Sequence, residues 1–489
     1  MNPMSVQQRL ELGLAHHRAG RLREAEAIYR QILAEQPDYT DALHLLGSLG
    51  AQIGYHDAAI DLLKKAIQLN PNIAVYHGNL GAVYMKLKRP GEAVASLQRA
   101  LQLNPNLPDV YFNLGGTLAE MGDFDAAISA LHKGLAIHPN WPEMHDSIGL
   151  ALWKSAKYDE AVASFRRAVE LRPDYAEAHW HLGSTLLLVG DLAAGWAQYE
   201  WRTKIPDIVR PRNFSPPQWT GEKLGGKTIL LHAEQGFGDT LQFIRYVPLV
   251  VERGGRVIVE CPPDLATILR GVEGIQEIFV QGQPLPPFDT HRSIMSLPLT
   301  FGTTAQTIPA KVPYLSVPAD RIAAWRERVE DGRLRVGLVW AGGPQHNDDR
   351  RRSMRLEYFA PLSAIKSARF YMLQKGPAAD QAAIPPPGMD LVNWTADLHD
   401  FVETAALIAN LDLVISVDTS VAHLAGAMGK PVWVLLPLVP DWRWMLNRDD
   451  SPWYPTMRLF RQPAAGDWTA AIARVMDALR WRAADRLPS

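Results

Sequence analysis

The sequence has a single cysteine, Cys261, among its 489 residues. One cysteine forms neither an intramolecular disulfide nor a cysteine-rich zinc site, and it is typical of a reducing compartment, so we expect a cytoplasmic protein. The sequence also has no uninterrupted apolar run approaching roughly 18 residues, so it predicts no membrane-spanning helix. Its first residues lack the basic and apolar regions of a signal peptide.

Positive charge is not in excess, because 50 Lys and Arg are balanced by 52 Asp and Glu. A nucleic-acid-binding protein usually shows a basic surplus, so this balance argues against nucleic acid as a partner. Hydrophobic residues make up 47% and charged residues 21% of the chain, which excludes a disordered or collagen-like protein. At roughly 150 residues per domain, the length predicts about three domains.

A period of 34 residues runs through the first part of the chain. It is marked by glycines at 13, 47, 81, 115, 149 and 183, by alanines at 25, 59, 93, 127 and 161, and by prolines at 37, 71, 105, 139 and 173. Each unit fits two amphipathic helices, in which Gly and Ala allow close packing and Pro ends the second helix. The pattern resembles the tetratricopeptide repeat, with five full repeats from about residue 6 and a sixth, atypical one from about residue 176.

Stacked helix pairs of this kind form an α-solenoid with a groove, which indicates binding of a protein or peptide. The alternative is a rigid spacer or a dimerisation element, so a homo-oligomer stays open. Asn79 and Asn113 each precede a Leu-Gly pair. Because an Asn amide both donates and accepts hydrogen bonds, these two are candidate groove residues for holding the backbone of an acceptor.

The second half alternates short apolar runs with helical patterns, which predicts βαβ units and parallel sheets. Strands are predicted at 228–232, 256–260 and 278–280, and then at 335–340, 370–374, 413–417 and 430–436. Two consecutive Rossmann-like lobes are the GT-B architecture of glycosyltransferases. We therefore predict an α plus α/β chain, with a repeat solenoid at 1–209, a linker at 210–226, an acceptor-side lobe at 227–318 and a nucleotide-sugar-side lobe at 319–489.

The first motif follows the strand predicted at 228–232, in the position where open α/β sheets bind ligands. Gly236 and Gly238 permit a tight turn, and Asp239 lies at the start of the next helix. Its carboxylate is a candidate general base for an acceptor hydroxyl. The alternative is that Asp239 caps the N-terminus of its helix.

The second motif follows the strand predicted at 413–417. The backbone amides of Thr419 and Ser420, at a helix N-terminus, are candidates for binding a phosphate. Asp418 would then bind sugar or ribose hydroxyls, and His423, one turn along, would reach a phosphate or sugar oxygen. Helix capping, with His423 merely packed, is again the alternative.

The pairing of the motifs at 236–239 and 418–423 resembles the bacterial heptosyltransferases of glycosyltransferase family 9. Segments 234–245, 430–437 and 440–444 extend the likeness to bacterial proteins in which tetratricopeptide repeats precede such a region, among them flagellin O-glycosyltransferases. The resemblance implies that Asp239 is the catalytic base. It also implies that the donor-binding loop consists of Asp418, Thr419, Ser420 and His423.

The sequence departs from the heptosyltransferase pattern in two places. Ser420 stands where that family usually has Gly, and its Arg-x-x-Lys-x-Trp phosphate motif is absent after Trp340, which argues against ADP-heptose as the donor. The run 346–353 takes its place, and Arg351, Arg352 or Ser353 are candidate phosphate ligands unless the run is a solvated loop.

Gln374 and Lys375 end a predicted strand and are candidate nucleotide contacts, or else an ordinary strand terminus. A helix N-terminus with an arginine can hold phosphates without a metal, so we predict neither a metal nor a cofactor. These features predict a glycosyltransferase that moves a sugar from a nucleotide sugar to Ser or Thr of a protein captured by the repeats.

The flagellin resemblance implies flagellin as the acceptor and a CMP-linked nonulosonic acid as the donor, with a UDP- or ADP-linked sugar as the alternative. Two other functions stay open. One is a lipopolysaccharide or heptosyl-type sugar transferase, and the other is a non-catalytic repeat scaffold with a degenerate GT-B domain.

Overall fold

The structure is a computed structural model that describes residues 4–329, 332–345 and 349–484. The chain forms two compact units, Met1–Ala178 and His179–Ser489. Within the described ranges, no helix is both long and apolar enough to cross a membrane. The domain limits expected at 209, 226 and 318 remain predictions.

The first unit is built from consecutive helix pairs, one pair for each 34-residue period. In the described residues they are α1 (Val6–Arg18), α2 (Leu22–Glu35), α3 (Thr40–Gln52), α4 (His56–Leu69), α5 (Ala74–Lys86), α6 (Pro90–Leu103), α7 (Pro108–Glu120), α8 (Phe124–Ile137), α9 (Pro142–Lys154) and α10 (Tyr158–Leu171). Pro occupies the first turn of three of these helices, where its missing N–H costs no hydrogen bond.

The small residues of the period lie where the two helices of a pair pack closest. The recurring alanines are fully buried, at positions 25, 59, 93, 127 and 161. A Cβ atom on Gly81 would lie only 2.6 Å from Cγ of Leu97, so any other residue would force α5 away from α6. The predicted repeat solenoid is confirmed.

A sixth pair leads into the sheets. Helix α11 (Ala176–Val189) crosses the division between the two units, and α12 (Leu192–Tyr199) runs into a 3₁₀ turn at Glu200–Lys204. This pair departs from the repeat because Gly195 replaces the buried alanine. A Cβ atom there would lie 2.7 Å from Cδ2 of Leu187.

The second unit contains two parallel sheets in its described residues. The first has the order β3-β2-β1-β4 and consists of β1 (Thr228–His232), β2 (Arg256–Cys261), β3 (Ile275–Val280) and β4 (Thr290–Ser293). Its helices are α13 (Phe237–Phe243), α14 (Val247–Glu252), α15 (Pro263–Leu269) and α16 (Leu297–Thr300). Trp219, within the segment expected to be a linker, is fully buried, and Trp219 N–H donates to the carbonyl of His291 in β4 (2.9 Å).

The second sheet has the order β10-β9-β8-β5-β6-β7. Its strands are β5 (Leu334–Val339), β6 (Ala368–Met372), β7 (Leu391–Val392), β8 (Leu413–Val417), β9 (Val432–Leu436) and β10 (Met457–Arg461). The helices are α17 (Ala319–Val329), α18 (Asp349–Arg352), α19 (Phe401–Ala409), α20 (Ser420–Ala427) and α21 (Trp468–Ala484). Strands β8 and β9 are buried along their whole length, as expected for apolar strands in the middle of a parallel sheet. The predicted α/β region is confirmed.

Candidate functional site

The two sequence motifs lie at the carboxyl ends of central strands, one in each sheet. Asp239 belongs to the first turn of α13, which follows β1, while Asp418 comes directly after β8 and before α20. Helices α13 and α20 pack against each other. Gly238 allows this approach, because a Cβ atom there would lie 2.9 Å from Cδ2 of His423. The fold thus brings the two motifs together.

Asp239 has one oxygen on its own loop and the other on a distant residue. Its Oδ2 accepts a hydrogen bond from the backbone N–H of Gly236 (2.8 Å), and its Oδ1 forms an ion pair with Arg443. The side chain is 19% exposed. Burial raises the pKa of Asp239, whereas Arg443 lowers it. Asp239 therefore makes the capping contact and also keeps access to solvent, so its role as a base stays a prediction.

Arg443 contacts Asp239 and is a side chain of the candidate site that the sequence reasoning missed. It lies in a 3₁₀ turn at Trp442–Trp444, after β9, and is 7% exposed. Its Nε donates to Oε1 of Gln242 (2.8 Å), its Nη1 to Oδ1 of Asp441 (2.8 Å), and its Nη2 to Asp239. The segment 440–444 carries part of the family likeness, and an Arg between two Trp residues is the available signal.

The loop after β8 is partly buried and carries a charged group, Asp418, whose side chain is 15% exposed. Burial and the neighbouring Asp441 raise the pKa of Asp418 to about 6, while Arg352 lowers it. His423 Nε2 lies 3.9 Å from Oδ1 of Asp418, and His423 Nδ1 lies 2.9 Å from the hydroxyl of Tyr454. Burial lowers the pKa of His423, as do the arginines around it, so this imidazole is neutral at neutral pH. A neutral ring can bind sugar hydroxyls by donating or accepting a hydrogen bond.

The N-terminus of α20 has free donors. Its cap residue, Thr419, does not close the first turn with its side chain, and Thr419 Oγ1 instead lies 3.0 Å from Oγ of Ser416. Among the described residues, no acceptor binds the backbone N–H of Thr419 or of Ser420. These are the two amides predicted to bind a phosphate.

Arg352 and Ser353, the next predicted phosphate ligands, follow β5 and differ in their contacts. Arg352 pairs with Asp349 (Nε to Oδ1, 3.4 Å), and its charge reaches Asp418. The hydroxyl of Ser353 accepts from the N–H of Gly342 (2.9 Å) and donates to Asp349 (2.8 Å). The first part of the predicted run, residues 346–348, lies outside the described residues. Arg352 is thus a cation whose charge acts on Asp418, whereas the hydroxyl of Ser353 is used by Gly342 and Asp349, and phosphate binding by either residue remains a prediction.

Gln374 and Lys375 make contacts within the protein. Gln374 is 2% exposed, and its Oε1 accepts from the N–H groups of Trp340 (3.0 Å) and Ala341 (2.8 Å). Lys375 Nζ donates to the carbonyl of Leu398. Gln374 thus joins the ends of β5 and β6. Nucleotide contacts by these two residues remain a prediction.

The two groove asparagines of the first unit differ in their surroundings. Asn79 Nδ2 lies 2.7 Å from Nε2 of His44 and 2.8 Å from Oγ of Ser48. One period later the corresponding positions are Gly78 and Ala82, which carry no polar side chain. Within the described part of the chain, the side-chain amide of Asn113 therefore has no partner. In the same described part, no group of three or more His, Cys, Asp or Glu is arranged to hold a metal.

Helix α12 and the turn after it contact the segment before α13 and the turn that carries Arg443. Arg202, 1% exposed, donates from Nε to Oε1 of Glu234 (2.6 Å), which precedes α13. Trp196 Nε1 donates to the carbonyl of Thr303 (2.9 Å). The ring of Trp196 packs edge-on against the ring of Trp442 (5.3 Å between centroids), and Trp442 is the residue before Arg443. Helix α12, which lies in the second unit, is therefore part of the framework around Asp239 and Arg443.

Comparison with known proteins gives two kinds of family match. Tetratricopeptide-repeat models match residues 10–72, 84–149 and 157–190, and the model of glycosyltransferase family 9 (heptosyltransferase) matches residues 395–435. Along the chain, the tetratricopeptide-repeat matches therefore precede the match to glycosyltransferase family 9. The matched residues include the loop at 418–423 that is predicted to bind the donor, and the combination supports a glycosyltransferase fused to tetratricopeptide repeats.

Individual relatives cover parts of this repeat-fused chain. Protein FlbA of Caulobacter vibrioides is 28% identical over 334 residues, which are 60% of this chain and 53% of FlbA. The chain thus spans about half the length of that relative. The MamA protein, in a crystal structure, is 31% identical over 35% of this chain and 94% of its own, with a TM-score of 0.32. YrrB, a TPR protein with an unusual peptide-binding site, is 23% identical over 36% of this chain and 90% of its own, with a TM-score of 0.32.

Proposed function

We propose that this protein is an O-glycosyltransferase that moves a sugar from a nucleotide sugar to a Ser or Thr hydroxyl of a protein. The observation that carries the proposal is the juxtaposition of Asp239 with the loop Asp418–His423, across helices α13 and α20. A carboxylate and a set of free helix-end amides, brought together at the ends of two parallel sheets, suit a base and a phosphate site.

In the proposed step, the acceptor oxygen forms a bond to the anomeric carbon of the sugar. The bond from that carbon to the phosphate oxygen breaks, and its electron pair leaves with the nucleotide. The hydroxyl proton passes to Asp239. The amides of Thr419 and Ser420 and the guanidinium of Arg352 would stabilise the charge that develops on the leaving phosphate. No step requires a metal or a further co-reactant.

For the acceptor, we propose a protein held by the repeats, with Asn113 as the free amide that binds its backbone. The flagellin resemblance makes flagellin, with a CMP-linked nonulosonic acid as donor, the first combination to test. A UDP- or ADP-linked sugar is the second choice of donor. The cytoplasm, where nucleotide sugars are available, is the proposed location.

A competing function is sugar transfer to lipopolysaccharide, which the match to the heptosyltransferase family at 395–435 favours. A scaffold without activity is the other alternative. The three functions differ in their acceptor and in their response to loss of Asp239. Donor binding is shared by the two transferases, so it is measured first.

The test is thermal denaturation of the full chain with UDP-, ADP-, GDP- and CMP-sugars. A ligand at about 100 times its dissociation constant should add about 2.7 kcal/mol to the free energy of unfolding. The donor should stabilise Asp418→Ala less than it stabilises the wild type. Asp477 is an exposed residue of α21 (side chain 77% exposed), and the donor should stabilise Asp477→Ala as much as the wild type. Transfer to flagellin and to lipopolysaccharide is then assayed with the stabilising donor. Asp239→Asn should bind the donor and transfer nothing, and full transfer by that variant would refute the proposal.

A further inference from the structure

Arg443 connects the two sheets at the site. It follows β9 of the second sheet, and it reaches the carboxylate of Asp239, which follows β1 of the first sheet. We infer that Arg443 is a positioning residue that keeps Asp239 in its carboxylate form and fixes its orientation. This inference rests on the proposed function in one respect only, namely that Asp239 is the base.

The guanidinium is itself held in place by groups other than Asp239. Gln242 accepts from its Nε, and Asp441 accepts both from its Nη1 and from the backbone N–H of Arg443 (2.9 Å). The ring of Trp442 lies under it, at 4.2 Å from the guanidinium carbon to the ring centroid. Arg443 thus presents Nη2 to Asp239 from a prearranged position, which a flexible lysine would not reproduce.

Two of these contacts lie on one helix. Asp239 and Gln242 are three residues apart on α13 and therefore share a face. Arg443 binds both, and Gly236 N–H holds the second oxygen of Asp239. The carboxylate is consequently fixed at both oxygens, and each oxygen retains a lone pair that can accept a proton.

The titratable and charged groups near Asp239 lie on several segments around it. They are Glu234 on its own loop, Tyr199 at the end of α12, the neutral His423 on α20, and Asp441 and Arg443 after β9. Of these named groups, Arg443 is the cation. Burial, Asp441 and Glu234 raise the pKa of Asp239, and they are opposed by Arg443 and by the N–H of Gly236. Loss of Arg443 should therefore leave a larger fraction of Asp239 protonated, and a protonated carboxyl cannot act as the base.

The ionisation can be measured without knowing the donor. The full chain is labelled with carboxyl-¹³C aspartate and titrated by NMR, and the Asp239 signal is identified by its loss in Asp239→Asn. In Arg443→Gln the midpoint should move to higher pH, and in Arg443→Lys it should move less. Arg448→Gln is the matched control, because Arg448 lies on the same segment and pairs with the exposed Asp450 (2.7 Å); its midpoint should equal the wild type.

A second variant distinguishes an effect on the ionisation of Asp239 from a general disturbance of the site. Asp441→Asn removes a carboxylate that raises the pKa of Asp239, so its midpoint should move to lower pH. A purely structural role for this segment would not produce shifts of opposite sign. If Arg443→Gln does not fold, Arg443→Lys and Asp441→Asn suffice. An unchanged midpoint in the folded Arg443 variants overturns the inference.

Catalysis provides the second measurement. With the donor that stabilises the wild type, kcat/KM in Arg443→Gln should fall on the acidic side, by about tenfold for each unit that the midpoint rises, and should recover at higher pH. A loss that is equal at every pH would overturn the assignment to ionisation. If Asp239→Asn keeps full transfer, the proposed function fails, whereas the NMR shift would still establish what Arg443 does to Asp239.

Discussion

Gly238 and His423 are in such close contact that a Cβ atom on Gly238 would lie 2.9 Å from Cδ2 of His423. His423 cannot turn away, because its ring stacks on Trp444 (5.4 Å between centroids) and its Nδ1 is hydrogen-bonded to Tyr454. The glycine is therefore what allows α13 and α20 to bring the two motifs together. Gly238 is thus needed because it has no side chain, whereas the sequence predicted that it forms a tight turn.

Gly238→Ala should therefore disturb the site directly. The extra methyl group must push α13 from α20 or displace a buried ring, and overpacking of this kind costs roughly 1–3 kcal/mol. We expect a lower melting temperature and a smaller stabilisation by the donor. Gly116→Ala is the control, since a Cβ atom there meets nothing within 4 Å and should leave both quantities at or above the wild-type values. Wild-type behaviour of Gly238→Ala would contradict the close contact.

The contact between Arg202 and Glu234 predicts where the second unit can be cut. A chain beginning at residue 205 loses Arg202, so Glu234 loses the partner of an ion pair that is buried in the full chain (side chains 1% and 3% exposed). Breaking a buried ion pair in this way costs roughly 3–5 kcal/mol. That chain also loses Trp196 from the face of Trp442.

We expect the chain beginning at residue 205 to be aggregated or to lack a cooperative melting transition. A chain beginning at residue 176 keeps α11 and α12 and should melt cooperatively. Circular dichroism and calorimetry on the two proteins provide the measurement. Equal cooperativity of both would show that α12 is dispensable for the framework of the site.

Much of the α/β region could be predicted because its central strands are apolar. The strands at 228–232 and 413–417 were predicted with the bounds that the structure has. Strand β4 was missed, since its sequence Thr-His-Arg-Ser reads as a polar loop although all four residues are buried. Its side chains are satisfied by distant groups: Thr290 donates to the carbonyl of Pro217 (2.7 Å), and Arg292 pairs with Glu200 (3.1 Å). A local pattern does not contain such partners.

The absence of distant partners from a local pattern also explains why the sequence did not predict the contact of Arg443 with Asp239. The positions of Asp239 and Asp418 follow from local rules, because each comes after an apolar strand and before a helix. Arg443 is 204 residues from Asp239 along the chain, and their contact depends on how the two sheets are packed. Nothing within either segment specifies that pairing.

Because Asn79 and Asn113 differ in their partners, replacing them should change stability by different amounts. Asn79→Ala removes a partner from His44, which is 9% exposed, so an unsatisfied buried nitrogen should cost about 1–3 kcal/mol. Asn113→Ala removes no hydrogen bond of the side chain and should change stability by no more than about 0.5 kcal/mol. Thermal denaturation of both variants measures the difference. With an acceptor identified, Asn113→Ala should weaken its binding, and equal acceptor affinity would remove Asn113 from the groove.

Ionisation of Asp418 lowers the free energy of unfolding, so the stability of the chain depends on pH. Its pKa is raised from 3.8 to about 6 in the folded chain, mainly by burial. Between these two values the native state holds a proton that the unfolded state has released. The stabilising contribution of the protonated form is thus present below about pH 4 and is lost as the pH rises through about 6. The loss amounts to about 3 kcal/mol at neutral pH.

Asp418→Asn keeps the shape of the side chain and removes its charge. The variant should exceed the wild type by about 3 kcal/mol in the free energy of unfolding at pH 7, and the difference should vanish towards pH 4. Calorimetry at pH 4, 5, 6 and 7 measures this, with the exposed Asp477→Asn as a control that should match the wild type throughout. At the same time, Asp418→Asn should lose stabilisation by the nucleotide sugar. Such a gain in stability with a loss of binding is typical of a residue retained for its function, whereas a variant less stable than the wild type at pH 7 would show that Asp418 supports the fold.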